Sequence, residues 1–474
     1  MKRLLIILLL FIILVASAIT GGTFYLGQET EKLYQGLITQ LAQNNGLTIG
    51  KNDYNKGFFS SRAMTTLSMA NTTTKINVSS YIHHGPIIIN DILQGKFGDI
   101  LNPLSTKIYS DIQIIGTANK KPVQLSLPLT TRVDILGSGT VKLDLPATTR
   151  KLDNMTLRWP GITGQIAFNK ELKTFKSDLN IPRLDITTKT GANITVSGVV
   201  YHSETSLGRN HYPLGDYHLS IAQVDIKPFL SIKKMRFESK ASERENFINY
   251  TVRYKLDTLN VAGNTLGPGQ MDIILRRLDA ASLTAYEKQN NKLGKTNLNQ
   301  QQTTIKKIGN FMDLLAMLAK QAPELEITNF NFKTSNGNII SSGKLVLDGK
   351  DKELGKNPMQ LLAAVNGQVN VAFPPGIIQP LLEPYIRADL EAYSKKGKLT
   401  QKETEKLTPE SVNKIIQQAL PLYLDRHPFT KMLSHENNRF IMNIRVESGS
   451  IKINGQPWQP KLPNFSLGNK PQAN

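Results

Sequence analysis

The hydrophobic pattern of the chain changes character three times. Residues 4–26 carry no charge, and Leu4 to Val15 is almost pure Leu, Ile and Phe. About 20 such residues are enough to cross a ~30 Å hydrocarbon core, so 1–26 reads as a transmembrane signal anchor. Leu33, Leu37, Ile38 and Leu41 then recur at helical spacing, which predicts a helix over 28–44 with Gly46 as its stop. From Arg62 the texture becomes Thr-rich and partly alternating, as in Met64-Thr-Thr-Leu-Ser-Met-Ala and Thr74-Lys-Ile-Asn-Val-Ser-Ser-Tyr-Ile. It persists to about residue 264, broken by turns such as Gly85-Pro86 and Gly137-Ser138-Gly139. Many strands with few helical intervals imply antiparallel pairing.

Beyond that point the pattern mixes. Apolar spacing predicts helices over 272–286, 305–318 and 374–390, and a further helix entered at Thr408-Pro409-Glu410. Residues 290–302 are polar and read as a connection, and 361–373 as a strand. A closing hairpin has strands at 439–447 and 451–454 around Ser448-Gly449-Ser450. The expected fold is α+β: an N-terminal transmembrane helix, then an extended antiparallel sheet with helices packed on one side. The expected divisions are an anchor (1–26), a helix plus β-rich part (27–264) and an α+β part (265–474). An internal similarity suggests duplicated β-units. Pro182-Arg-Leu-Asp-Ile-Thr recurs as Pro323-Glu-Leu-Glu-Ile-Thr, each followed by a Gly turn and a strand ending in Ser-Gly, at Gly198 and Gly343.

Charge and composition set the compartment. Lys2 and Arg3 precede the apolar run, and positive charge stays inside, so the bulk of the chain is exported. The expectation is a single-pass inner-membrane protein held through residues 4–26, with its body in the periplasm. Ala16-Ser17-Ala18 is also a cleavage-site pattern, so a secreted factor beginning at Ile19 is the competing reading. The 474 residues include no cysteine, which excludes disulfides, thiolate chemistry and Cys-based zinc sites. A net charge of +20 suits phospholipid or other anionic envelope components as partners, and nucleic acid is not expected in that compartment. A homodimer is compatible with all of this.

Several short segments, in order along nearly the whole chain, resemble the YdgA/YihF family of bacterial envelope proteins. They are Tyr25-Leu-Gly27 after the anchor, Tyr54-Asn-Lys-Gly-Phe-Phe-Ser-Ser61, His84-Gly-Pro86, Trp159-Pro-Gly161-Ile-Thr-Gly164, Leu278-Asp-Ala-Ala-Ser-Leu283 and Ser448-Gly-Ser-Ile-Lys-Ile-Asn-Gly455. The family has no established reaction, so the resemblance implies location and architecture, not chemistry. The strand–turn–strand texture also looks similar to AsmA-like envelope proteins, which are linked to lipid handling between membranes.

Catalytic signatures are sparse. His202, His211 and His218, near Glu204 and Asp216, are the candidate metal ligands, although they lie in what reads as a hairpin loop at no established ligand spacing. His83-His84 before Gly85-Pro86 reads as a strand end and tight turn. No G-x-S-x-G element is present, and Gly294-Lys295-Thr296 lacks the glycine a phosphate loop needs at position 289, which is Gln. No cofactor signature was found. The candidate binding groove is the apolar stretch holding Ile377, Ile378, Leu381, Leu382 and Ile386, which would either bury against the sheet or accept an acyl chain or a partner helix. The expected role is non-enzymatic, binding lipid or another envelope component. An envelope hydrolase or metal-dependent enzyme is the alternative.

Overall fold

In a computed structural model of the chain, residues 30–458 are described, apart from 86–103, 378–429 and shorter stretches at 33, 37, 40–41, 43–46, 70–74, 119–120, 152–154, 190, 262–263, 294–299, 350–353 and 355–357. The strands among them form one antiparallel sheet of 22 strands. The first eleven are β1 (Leu47–Asn55), β2 (Ser60–Met69), β3 (Lys75–His84), β4 (Leu104–Ala118), β5 (Lys121–Asp134), β6 (Gly139–Lys151), β7 (Met155–Phe168), β8 (Thr174–Thr188), β9 (Asn193–Leu207), β10 (Pro213–Lys227) and β11 (Leu230–Arg244). Each pairs with its predecessor in a plain meander. Strands of 15 residues, such as β8 to β11, span about 50 Å.

β12 (Phe247–Leu256) covers one half of β11, and β13 (Thr258–Val261), hairpinned to β14 (Asn264–Leu266), covers the other. β15 (Gly269–Asp279), β16 (Glu324–Thr334), β17 (Gly337–Leu347), β18 (Val365–Phe373) and β20 (Arg439–Glu447) continue the sheet beyond β12. β19 (Ser434–Glu436) and β21 (Ser450–Ile453) pair with β20, and β22 (Gln456–Trp458) ends the sheet on β21.

Cross-strand register carries one apolar face through the sheet. Leu179, Tyr201, Leu219 and Phe237 are directly paired in turn on β8 to β11, as are Ile181, Val199, Ile221 and Met235. The same face continues through Tyr254, Met271 and Phe330. The opposite face carries Asp178, His202, His218, Glu238, Arg253 and Asp272. This division follows from the period-2 alternation of a strand.

Helices cap the apolar face at particular places. α1, whose described residues lie between 30 and 42, buries Thr30, Tyr34, Ile38 and Ala42, spaced four apart. They pack on Leu47, Ala63, Leu67, Ile82 and Ile108 of β1 to β4. Ile38 belongs to the expected apolar set, whereas Leu33, Leu37 and Leu41 lie outside the described residues. α2 (Ala280–Leu293) approaches the same face farther along. Its Thr284 hydroxyl donates to the Asn210 carbonyl at 3.2 Å, and its Glu287 lies near Tyr212, Tyr217 and Tyr250. α3 (Gln300–Ala319) packs on α2 through Tyr286 and Phe311, and buries Leu314, Leu318 and Ala319. α4 (Pro358–Ala363) precedes β18.

Several expectations need correction. The connection expected over 290–302 is helix at both ends, since α2 runs to Leu293 and α3 begins at Gln300. Residues 272–279 are strand rather than helix, because Met271, Ile273 and Leu275 alternate with Asp272 and Arg276. A register shift near Arg277, whose φ is +60°, then lets the chain turn into α2. The proposed strand at 361–373 is helix to Ala363 and strand only from Val365. The predicted helix over 305–318 lies within α3, and the terminal hairpin forms as β20 and β21. The two similar segments do form hairpins, β8–β9 and β16–β17. In the first, 183–187 pairs beside the turn (Thr187 with Asn193), whereas in the second, 324–327 pairs at the open end (Glu324 with Val346). The likeness is therefore one of strand composition, not of place in a repeat.

Candidate functional site

The apolar face is the most extensive feature available for binding. Over β1 to β4 α1 covers it, and near Val133, Phe168 and Leu172 the hairpin ends pack on themselves. Between these places and α2, no described element lies on it. Of the 15 residues in each of β8, β9, β10 and β11, only Ser203 and Ala241 are buried. Leu179, Ile181, Val199, Leu219, Ile221 and Met235 are half-buried, shielded by their own neighbours rather than by a second layer. A sheet buries its apolar side against another layer in an ordinary domain. Among the described residues no second layer covers this face across β8 to β11, and broad apolar surfaces without one mark interaction sites.

The histidines proposed as metal ligands are separated by the register. His202 and His218 are direct cross-strand partners on the polar face, with ring centroids 6.4 Å apart. His211 sits in the β9–β10 turn with φ +58°, seven residues from His218 and roughly 20 Å away at strand rise. His202 Nδ1 lies 2.7 Å from Asp178, and Glu204 takes a 2.8 Å ion pair from Lys176. Asp178, His202 and His218 belong to a ladder that crosses seven strands, Asp178–His202–His218–Glu238–Arg253–Asp272–Asn329, each residue registered with the next. Within it Asp272 sits in a dense set of bonds, accepting from Arg253 Nε at 2.8 Å and Gln270 at 2.7 Å. Although partial burial opposes ionisation, these bonds hold its carboxyl below the usual range. Among the described residues, no group of three or more ligating side chains is placed to hold a metal ion.

A second charged region, on the polar face of β15 to β20, is likewise internally paired. Arg276 contacts Glu326 at 2.5 Å, Lys344 contacts Glu324 at 2.8 Å, and Arg445 contacts Glu447 at 2.9 Å. Of the groove candidates, Ile377 is half-buried at the end of a 3-10 turn, Pro375–Ile377, where a helix was expected to begin. Ile378, Leu381, Leu382 and Ile386 lie outside the described residues.

A buried polar cluster at one end of β2 and β3 was not recognised as a site from the sequence. Ser61 Oγ and His84 Nε2 are 2.7 Å apart, and both residues are almost fully buried. The Gly57 amide donates to Ser61 Oγ at 3.3 Å, and the His84 amide donates to the Phe59 carbonyl at 2.9 Å. Burial, reinforced by the charge of Lys56, lowers the His84 imidazole to a pKa of about 4, so it is neutral at physiological pH. Among the described residues its buried Nδ1 has no hydrogen-bond partner. Thr106 and Thr30 make a short hydroxyl contact nearby, joining α1 to the sheet. A neutral imidazole beside a serine resembles half of a hydrolytic triad, but no described carboxylate orients Nδ1. What the cluster demonstrably does is fix the β1–β2 turn.

Ser61 closes one of the segments that carry the family resemblance and His84 opens the next, and the fold brings them together. The Escherichia coli (strain K12) "Uncharacterized protein YihF" is 22% identical over 318 residues, covering 58% of this chain and 62% of that protein. The chain thus spans under two thirds of that relative's length. No solved structure matches. A family model described as "Bacterial protein of unknown function (DUF945)" matches residues 1–461, and the chain belongs to that family.

Proposed function

We propose that this protein is a non-enzymatic, inner-membrane-anchored envelope protein whose apolar sheet face holds the acyl chains of phospholipid. The observation that carries the reading is the registered apolar face of β8 to β11, over which no described element lies. Acyl chains need width and apolarity rather than directed hydrogen bonds, and a face of Leu, Ile, Val, Met and Phe supplies both. Residues 4–26 would hold the sheet at the periplasmic side, with Lys2 and Arg3 in the cytoplasm. The +20 net charge favours anionic lipid.

Adjacent residues on opposite faces provide the test. A photo-crosslinking amino acid at Leu219 should capture phospholipid in cells, whereas the same group at Ser220 should not. Lipid adducts at neither position, or equally at both, would end the proposal. Sequencing the mature N-terminus addresses the anchor separately, since a chain beginning at Ile19 removes it.

A further inference from the structure

We propose that one end of the sheet, carrying the β1–β2 and β5–β6 turns, is seated in the interface of the bilayer that residues 4–26 enter. This rests on the anchor reading above and adds an orientation to it. The two turns are apolar where turns are ordinarily polar. Phe58 is 46% exposed, Phe59 51%, Ile135 53% and Leu136 73%. β1 and β5 run in the same direction, so both turns project from the same end, four strand spacings or about 19 Å apart.

The turns are held rather than loose. The Phe58 and Phe59 rings meet edge to face at 4.8 Å, and the Phe59 carbonyl is tied to His84. Asp134 accepts from the Leu136 and Ser138 amides at 2.8 and 3.0 Å, which presents Ile135 and Leu136 outward. Their exposure is therefore built into the fold.

The start of α1 lies at this same end. Thr30 contacts Thr106, which pairs with His84, and Glu31 is 3.9 Å from Lys56 in the β1–β2 turn. Leu26, the last residue of the apolar run, precedes Thr30 by four residues, which reach at most about 14 Å. A segment leaving the bilayer at Leu26 thus delivers this end of the sheet to the headgroup region. Lys56 sits beside the phenylalanines, and Lys170 packs beneath Gly137 in the other turn. Basic side chains around exposed aromatic and aliphatic ones suit an anionic bilayer surface. Phe229, 67% exposed, lies in the β10–β11 turn at the opposite end and is an internal control.

Because the chain has no cysteine, single labels are unambiguous. Full-length protein carrying Phe59→Cys, Leu136→Cys, Phe229→Cys or Leu10→Cys is labelled with an environment-sensitive dye. It is then reconstituted in phosphatidylethanolamine–phosphatidylglycerol vesicles. The expected result is blue-shifted emission at 59 and 136, quenched by nitroxide-bearing lipid, with position 229 reporting water. If position 10 is quenched while 59 and 136 report water, the anchor stands and the seated end is overturned. Lipid quenching at 59 and 136 without quenching at 10 upholds the seating and removes the anchor. Blue shift at 59 and 136 without lipid quenching identifies a protein contact, from a second copy or a partner, and also overturns the proposal.

Discussion

Ser61 Oγ lies 2.7 Å from His84 Nε2, joining the start of β2 to the end of β3 inside the buried cluster below the Phe58–Phe59 turn. Since His84 has a pKa of about 4 in the folded chain and about 6.5 when unfolded, the unfolded state binds the extra proton between these values. Stability conferred by the neutral ring is therefore complete above about pH 6.5 and is lost as pH falls towards 4. The loss is on the order of 3 kcal/mol. Urea midpoints measured at pH 7.5 and 4.5 should differ in that direction, and His84→Gln should flatten the difference.

Removing the partner hydroxyl tests the same contact at constant pH. Ser61→Ala leaves Nε2 buried and unpaired, which costs about 1–3 kcal/mol. Ser61→Thr keeps a hydroxyl and should recover part of it. A denaturation midpoint for Ser61→Ala equal to that of the parent would mean that the bond contributes nothing.

Two glycines with positive φ should respond differently to the same substitution. A Cβ on Gly215, whose φ is +134°, would come within 2.0 Å of the Glu204 carbonyl oxygen on β9, so Gly215→Ala must part the β9–β10 ladder. A loss of more than about 3 kcal/mol is expected. Gly191, with φ +85°, has no atom within 4 Å of its Cβ position, so Gly191→Ala bears only the left-handed backbone cost of about 1 kcal/mol. Thermal unfolding of the two variants side by side measures the contrast.

The two faces should tolerate charge unequally. Leu219→Asp places a carboxylate among Tyr201, Phe237 and other apolar neighbours, and should both destabilise the sheet and reduce co-purified phospholipid. Ser220→Asp points to the polar face and should stay within about 0.5 kcal/mol of the parent. Equal lipid content in both variants, read by mass spectrometry, would separate the apolar face from lipid binding.

Much of the sheet is legible in the chain because its strands alternate cleanly. Val78, Ser80, Ile82 and His84 are all buried on one face of β3, and this alternation is readable from residues alone. Its consequence for His84 is not, because burial there depends on Ser61, 23 residues earlier, and on α1 above both. α1 illustrates the same limit. Its buried set includes Thr30 and Ala42, which carry little hydropathy signal, and Tyr34, whose hydroxyl lies 3.1 Å from Thr65 Oγ1. In β15 a strand running into a helix across an irregular register imitates one long helical pattern. The histidines near 202–218 look clustered in sequence, but strand geometry carries His211 away and leaves His202 and His218 in a charge ladder.

The meander also bears on how the chain acquires its shape. From β1 to β12 every strand finds its template in the strand made just before it, so loop closures are short and ordering can advance residue by residue. Such a sheet behaves as a one-dimensional array, in which a nucleus at one edge propagates without waiting for distant segments. A chain synthesised from its N-terminus presents its strands in that order. The widest closure among the described strands, between Phe373 and Arg439, comes when nearly all of the template is already in place.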